Sequence, residues 1–161
     1  MKTKKLIKIQ HKLENLYAAY AEKLDDGPLQ DWPALFCEEC LYQLTPRDNF
    51  ERGLPLAIIR CESRGMLEDR VRAVQETVMH EPRYLRHHIT NIRIGERRDN
   101  TISVHANYSV IEVLHDELPH ILSVGRYIDV VERQPGGELL FKVKQCVYDS
   151  VLVPNTIVYP V

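Results

Sequence analysis

The feature that most constrains this chain is a run of strict alternation. Ile102, Val104, Ala106, Tyr108 and Val110 are apolar, while Ser103, His105, Asn107 and Ser109 between them are polar. Successive side chains on a strand point to opposite faces, so the run calls for a sheet with one buried face and one wet face. The alternation slips at Val110-Ile111, after which Ile111 and Val113 take over the apolar positions. A one-residue shift turns every later side chain over, so the slip predicts a β-bulge and a bend at that point. Two more long strands are expected over residues 120–133 and 138–150, joined by a hairpin at Pro135-Gly136-Gly137. Arg98-Asp99-Asn100 reads as the turn of a further hairpin, and the chain reads as strand from His87 onward.

The front of the chain keeps a different period. Leu6, Ile9, Leu13, Leu16, Tyr17, Tyr20 and Leu24 recur at three- and four-residue steps and predict an amphipathic helix over residues 4–24. Asp25-Asp26-Gly27-Pro28 stops it, since proline has no N–H to continue the ladder. A short helix is expected over Leu29 to Phe36, limited by Pro33. Leu41-Tyr42-Gln43-Leu44 and Pro55-Leu56-Ala57-Ile58-Ile59 read as short strands, joined by a polar loop with Pro46, Asp48, Asn49 and Gly53. Leu67, Val71, Val74 and Val78 return to helical spacing and predict a third helix over residues 64–79, ending before Pro82. This order implies an α+β fold, a bent antiparallel sheet with three helices from the N-terminal half on one face. At 161 residues, with no repeat and no linker, the chain is read as one domain over 1–161.

Charge and apolar-run length remove several classes of function. Lys plus Arg number 21 against 23 Asp plus Glu, so no overall basic field exists to gather phosphates, and nucleic acid is not an expected partner. The apolar runs fall far short of the roughly 20 residues a membrane-spanning helix needs. Met1-Lys2-Thr3-Lys4-Lys5 is basic but is followed by Lys8, Gln10, His11, Lys12 and Glu14 rather than an apolar core. A cytoplasmic chain is therefore expected, with Cys37, Cys40, Cys61 and Cys146 as reduced thiols.

The search for chemistry yields suspects but no constellation. Cys37-Glu38-Glu39-Cys40 has metal-ligand spacing, yet a structural zinc site needs a second close pair, and Cys61 and Cys146 stand alone in sequence. His87 and His88 would face opposite ways on a strand, so they cannot chelate one ion, although one could act as a general base inside a pocket. His115 and His120 flank Asp116 and Glu117 in what reads as a solvated turn, and His11, His80 and His105 are isolated. No Cys-x-His pairs with a Cys-x-x-His, so no Rieske cluster is expected in this chain. P-loop, dinucleotide glycine fingerprint and nucleophile elbow are also missing from the sequence. Trp32-Pro33-x-Leu35-Phe36 reads as the cover of an apolar core, and Glu68-Asp69-Arg70 with Arg72 as the wet face of the third helix.

The order of segments resembles the small (beta) subunits of aromatic-ring-hydroxylating Rieske non-haem iron oxygenases. The likeness is carried by Trp32-Pro33-x-Leu35-Phe36 with Tyr42, then Pro46-Arg47-Asp48-Asn49-Phe50-x-x-Gly53-Leu54-Pro55. Met66-Leu67-x-Asp69-Arg70-Val71, Tyr84-x-Arg86-His87 and Tyr127-x-Asp129-Val130 follow. Cys146-Val147-Tyr148-Asp149-Ser150, Pro154-Asn155 and Tyr159-Pro160 complete it. Within that family, the Pro-Arg-Asp-Asn-Phe segment and the tail look most like the small subunits of salicylate 5-hydroxylase. Subunits serving anthranilate, halobenzoates and terephthalate look similar.

The resemblance implies a cone-like fold similar to nuclear transport factor 2, with a curved sheet wrapped around helices. It implies a heterohexamer of three large and three small subunits, in which the large (alpha) subunit carries the Rieske [2Fe–2S] cluster and a mononuclear Fe(II). Electrons reach the large subunit from NAD(P)H through a reductase and a ferredoxin. This chain would then hold no cofactor, metal ligand or catalytic residue of its own and would serve assembly. Arg86, Arg126 and Tyr127 are the candidates for subunit contacts, since Arg and Tyr favour interfaces. Two other readings compete with it. One is a stand-alone isomerase or dehydratase of the same cone fold, using His87 or His88 with Tyr42 or Tyr108. The other is a non-catalytic ligand-binding module.

Overall fold

The computed structural model describes residues 2–76, 83–150 and 157–161. Helix α1 (Lys2–Asp25) is followed by a 3-10 turn (Leu29–Leu35), strand β1 (Phe36–Pro46), the short helix α2 (Arg47–Glu51), strand β2 (Ile59–Cys61) and helix α3 (Arg64–Glu76). Four strands complete the chain: β3 (Arg83–Arg98), β4 (Thr101–Leu114), β5 (His120–Arg133) and β6 (Leu139–Tyr148). The sheet order is β2-β1-β6-β5-β4-β3. The third helix as expected beyond 76, together with Pro82, His80 and Pro154-Asn155, lies outside the described residues.

The expected helices form where the apolar stripes fall. Ile9, Leu13, Leu16, Tyr17, Tyr20 and Leu24 are the buried line of α1, and Leu67, Val71 and Val74 that of α3. Pro33 sits inside a 3-10 turn, whose buried residues are Trp32 and Pro33. The expected short strands differ in extent. The first begins at Phe36, and α2 occupies part of the loop expected to follow it. Cys37-Glu38-Glu39-Cys40 accordingly lies on β1. The β1–β6 register jumps between Phe36 and Leu41, and this bulge lets Cys37 and Cys40 both turn inward while Glu38 and Glu39 stay exposed.

Four of the strand pairings are antiparallel, as expected, but β1 lies parallel to β6. That pairing joins residues about a hundred positions apart, such as Tyr42 with Lys144, so no local sequence signal announces it. Further register shifts occur at Thr90/Arg93 and Ile94/Arg97 against β4, at Val110/Ile111 against β5 and at Val130/Val131 against β6. Bulges bend strands and increase twist, and their distribution along the sheet curves it around α1 as a cone.

The slip at Val110-Ile111 has a different meaning from the one expected. The ladder does shift there, but the extra residue is Leu122 on β5. Strand β4 keeps its phase, with Ile102, Val104, Ala106, Tyr108, Val110 and Glu112 all buried. Glu112 takes the inward position because Arg83 Nη1 lies 2.6 Å and His120 Nε2 3.2 Å from its carboxylate oxygens. Ile111 and Val113 remain on the outer face, half-buried.

One close approach fixes a residue type. A Cβ on Gly125 would fall 2.0 Å from the carbonyl oxygen of Val147 and 2.8 Å from Tyr148 Cα on the neighbouring strand. Only glycine lets β5 and β6 come together at that point.

Candidate functional site

The inside of the cone is filled with rings. Tyr20 has edge or tilted contacts with Trp32, Phe36, Tyr127 and Phe141, and Trp32 packs edge-on against Tyr42. Val161 adds to this packing: it is fully buried, its amide donates to Tyr42 Oη (3.0 Å) and its carbonyl accepts from Tyr20 Oη (2.6 Å). Tyr108 Oη pairs with Ser123 Oγ at 3.1 Å, and its ring stacks on Tyr127 at 4.5 Å. Burial pushes the phenols of Tyr20, Tyr42, Tyr108 and Tyr127 well up, so all four stay protonated.

A buried ion pair lies among these rings. Lys144 Nζ lies 2.9 Å from Asp129 Oδ2, and Tyr17 Oη donates to the same oxygen. The amide of Gln145 donates to Asp129 Oδ1 at 3.1 Å. Lys144 Nζ also stands 3.0 Å from the centre of the Tyr127 ring, with Tyr20 and Tyr17 rings at 4.7 and 4.8 Å. Burial lowers the ammonium of Lys144 and raises the carboxyl of Asp129, while the attraction between them opposes both shifts. With every partner inside, the pair has no route to a substrate.

His87 and His88 divide as the strand geometry requires: His87 points in and His88 out. The His87 side chain has no exposed surface; its Nδ1 lies 2.6 Å from Asp25 Oδ1, and its amide donates to Asp25 Oδ2 at 2.9 Å. Nε2 is buried without a hydrogen-bond partner, and the ring packs edge-on against Tyr20. No hydrogen bond joins His87 to Tyr42 or Tyr108 among the described residues, because Val161 and Ser123 take up those phenols. A sealed imidazole beside engaged, protonated phenols cannot reach a substrate as a general base. An isomerase or dehydratase mechanism is not favoured.

A cleft of about 500 Å³ opens where the end of α1 meets α3, the start of β3 and Tyr159. Its charged lining is already paired in part: Lys23 with Asp31 and Arg83 with Glu112. The cysteines are buried, and desolvation pushes the thiol of Cys40 up to about 11 and that of Cys146 to about 12. Among the described residues no three His, Cys, Asp or Glu side chains gather as a metal site. The donor set of the described residues therefore does not fit an iron–sulfur cluster or a mononuclear iron.

The three interface candidates occupy different depths. Arg86 is exposed and held by Asp26 at 2.8 Å. Arg126 is half-exposed, 3.4 Å from Glu51 and over the Phe50 ring at 5.9 Å, with its Nε buried and unpartnered. Tyr127 is wholly buried and reaches no surface. Sequence reading missed the Lys144–Asp129 pair and the Asp25–His87 contact. Asp25 was visible only as a helix stop, and the spacing to its partner is 62 residues.

The family of ring hydroxylating beta subunits matches residues 19–154. The small subunit of anthranilate 1,2-dioxygenase from Burkholderia cepacia is 32% identical over 149 residues, covering 92% of this chain and 90% of that protein. A solved structure from Novosphingobium aromaticivorans, described as the beta subunit of an aromatic-ring-hydroxylating dioxygenase, superposes with a TM-score of 0.85 at 34% identity. It covers 94% of this chain and 95% of that one. A structure from the same organism described as a scytalone dehydratase shares the cone fold (TM-score 0.73, 18% identity, 99% and 95% covered). At that identity only the fold is shared.

Proposed function

The chain belongs to the ring hydroxylating beta subunits, the small subunits of aromatic-ring-hydroxylating dioxygenases, and on that premise we propose that it is the non-catalytic assembly platform of a Rieske oxygenase for an aromatic carboxylate. The observation that carries the assembly role is the filled cone. Where a stand-alone enzyme of this fold needs space, Val161 and the rings of Tyr20, Trp32 and Tyr42 are packed together. The large subunit supplies the Rieske cluster, the mononuclear iron and the ring hydroxylation, taking electrons from NAD(P)H through a reductase and ferredoxin. Three large and three small subunits form the complex in the cytoplasm. The Burkholderia relative is named for anthranilate, an aromatic carboxylate, which supports a carboxylated ring as substrate. Salicylate is the member of that class suggested by the Pro46-Arg47-Asp48-Asn49-Phe50 segment and the tail. Arg86 and Arg126 make the subunit contacts, with Tyr127 bracing β5 from within.

The test is capture of the tagged chain from its native host, reading mass, iron content and visible spectrum of what accompanies it. A brown, roughly equimolar complex that hydroxylates salicylate or another benzoate when fed electrons is the expected result. A colourless chain that stays alone and turns over a ketone or hydrated-ring substrate overturns the reading.

A further inference from the structure

Residues 157–161, Ile-Val-Tyr-Pro-Val, sit against the interior of the fold without joining its sheet or any helix. Among the described residues, no backbone–backbone hydrogen bond reaches them. Pro160 accounts for part of this, because proline has no N–H to give to a ladder and biases the residue before it toward extended backbone. Side chains of the body hold the segment instead. Arg70 on α3 donates to the carbonyl of Val158 at 2.7 Å and to that of Ile157 at 3.5 Å. Tyr42 Oη on β1 accepts from the Val161 amide at 3.0 Å, and Tyr20 Oη on α1 donates to the Val161 carbonyl at 2.6 Å. The Cys146 thiol on β6 donates to the same carbonyl at 3.4 Å, and the Arg83 guanidinium on β3 lies over the Tyr159 ring at 5.9 Å. Side chains from α1, α3, β1, β3 and β6 thus converge on one short segment.

These contacts have the character of a peptide held by a receptor. Side chains of the body recognise backbone carbonyls and an amide, which gives affinity for an extended segment, and enclosed positions for apolar side chains give selectivity. Ile157 and Val161 are the anchors: both are buried, Val161 completely. Tyr159 between them is only half-buried. The receptor side is braced by its own packing. Tyr20 is flanked by the rings of Trp32, Phe36, Tyr127 and Phe141, and Tyr42 by Trp32 and Phe36. All of these belong to the 3-10 turn or the sheet, so withdrawing the segment breaks no strand ladder and leaves buried donors in want of an acceptor. We propose that the cone keeps an internal binding site for a short, extended apolar peptide, formed by Tyr20, Tyr42, Arg70 and Cys146, and that residues 157–161 occupy it in cis as a plug. The site is built from contacts within this chain, so it stands or falls separately from the small-subunit reading.

A synthetic peptide of residues 157–161, carrying a fluorophore on the nitrogen of Ile157, is titrated with the full chain and followed by fluorescence anisotropy. Val161→Asp in the full chain puts a charge where no surface is exposed and drives the plug from its seat, leaving the site to the added peptide. The expected result is binding to the Val161→Asp chain, and binding at least about tenfold weaker to the unmutated chain, whose own segment competes at high effective concentration. The peptide bearing Val161→Asp should bind neither. Absence of binding to a Val161→Asp chain that circular dichroism shows to be folded overturns the site. Equal binding to both chains overturns it too, because the peptide would then sit elsewhere. Should the variant fail to fold, hydrogen exchange on the unmutated chain decides the matter. A separable plug opens without global unfolding, so the Val161 amide should exchange at least about tenfold faster than the amides of the β5–β6 ladder. Exchange of Val161 together with the slowest amides of that ladder makes the segment an integral part of the core and overturns the proposal.

Discussion

Lys144 Nζ lies 2.9 Å from Asp129 Oδ2, and neither side chain has any exposed surface. Their worth depends on both being present. Lys144→Met strands a buried carboxylate and is expected to cost about 3–5 kcal/mol, seen as a lower urea midpoint. Combining it with Asp129→Leu removes the stranded charge and is expected to recover part of that loss. A single variant within about 1 kcal/mol of the unmutated chain would show that water reaches the site.

Gly125→Ala drives a methyl group into the Val147 carbonyl of the adjacent strand. Backbone cannot yield as a side-chain tip can, so the expected loss is about 3 kcal/mol or more. The substitution should also reduce the yield of folded protein at 37 °C. An unchanged melting temperature would mean that β5 and β6 can part at this point without cost.

Asp25→Ala takes the acceptor from both the His87 amide and its ring Nδ1. Each buried donor left unsatisfied costs about 1–3 kcal/mol, and loss of stability of that order is expected from a thermal melt. Asp25→Asn keeps one acceptor oxygen and should fall between the two. A melt in which Asp25→Ala matches the unmutated chain would count against the contact.

The four thiols should be silent to a thiol reagent at pH 8 in the native state. Desolvation raises all of them, Cys40 to about 11 and Cys146 to about 12, and burial blocks approach. Of Cys40 and Cys146, raising the pH toward 11 increases the thiolate fraction at Cys40 first, so Cys146 should be the slower of the two to label. Unfolding in urea should release all four. Rapid native labelling at pH 8 would contradict the buried placement.

Much of this architecture was legible because its signals are local. The stripe of α1, the turns at Asp99 and Gly137 and the alternation of β4 each lie within a few residues, and each formed where the pattern put it. What escaped depends on distant partners. Glu112 looked like a phase slip because Arg83 and His120, which allow its burial, approach from other strands. On β5 only a strand over 120–133 was legible, and the charged Asp129 lies on its inner face beside Tyr127. Lys144 makes that placement possible from β6, and a hydropathy rule would have put both outside. The family likeness was legible in ordered short motifs. The depth of its residues was not: Arg126 and Tyr127 are neighbours in sequence, one at the surface and the other sealed within.

The hydrogen bond from Tyr20 to Val161 spans 141 positions of the chain. Proteins are made from one end to the other at about 5–20 residues per second, so Tyr20 waits roughly 7–28 s for its acceptor to be synthesised. Throughout that interval the apolar line of α1 exists without the strands that cover it, and the nascent chain must be shielded from wrong contacts by whatever attends the ribosome. The contact that ties α1 to Val161 therefore forms long after the helix itself is made.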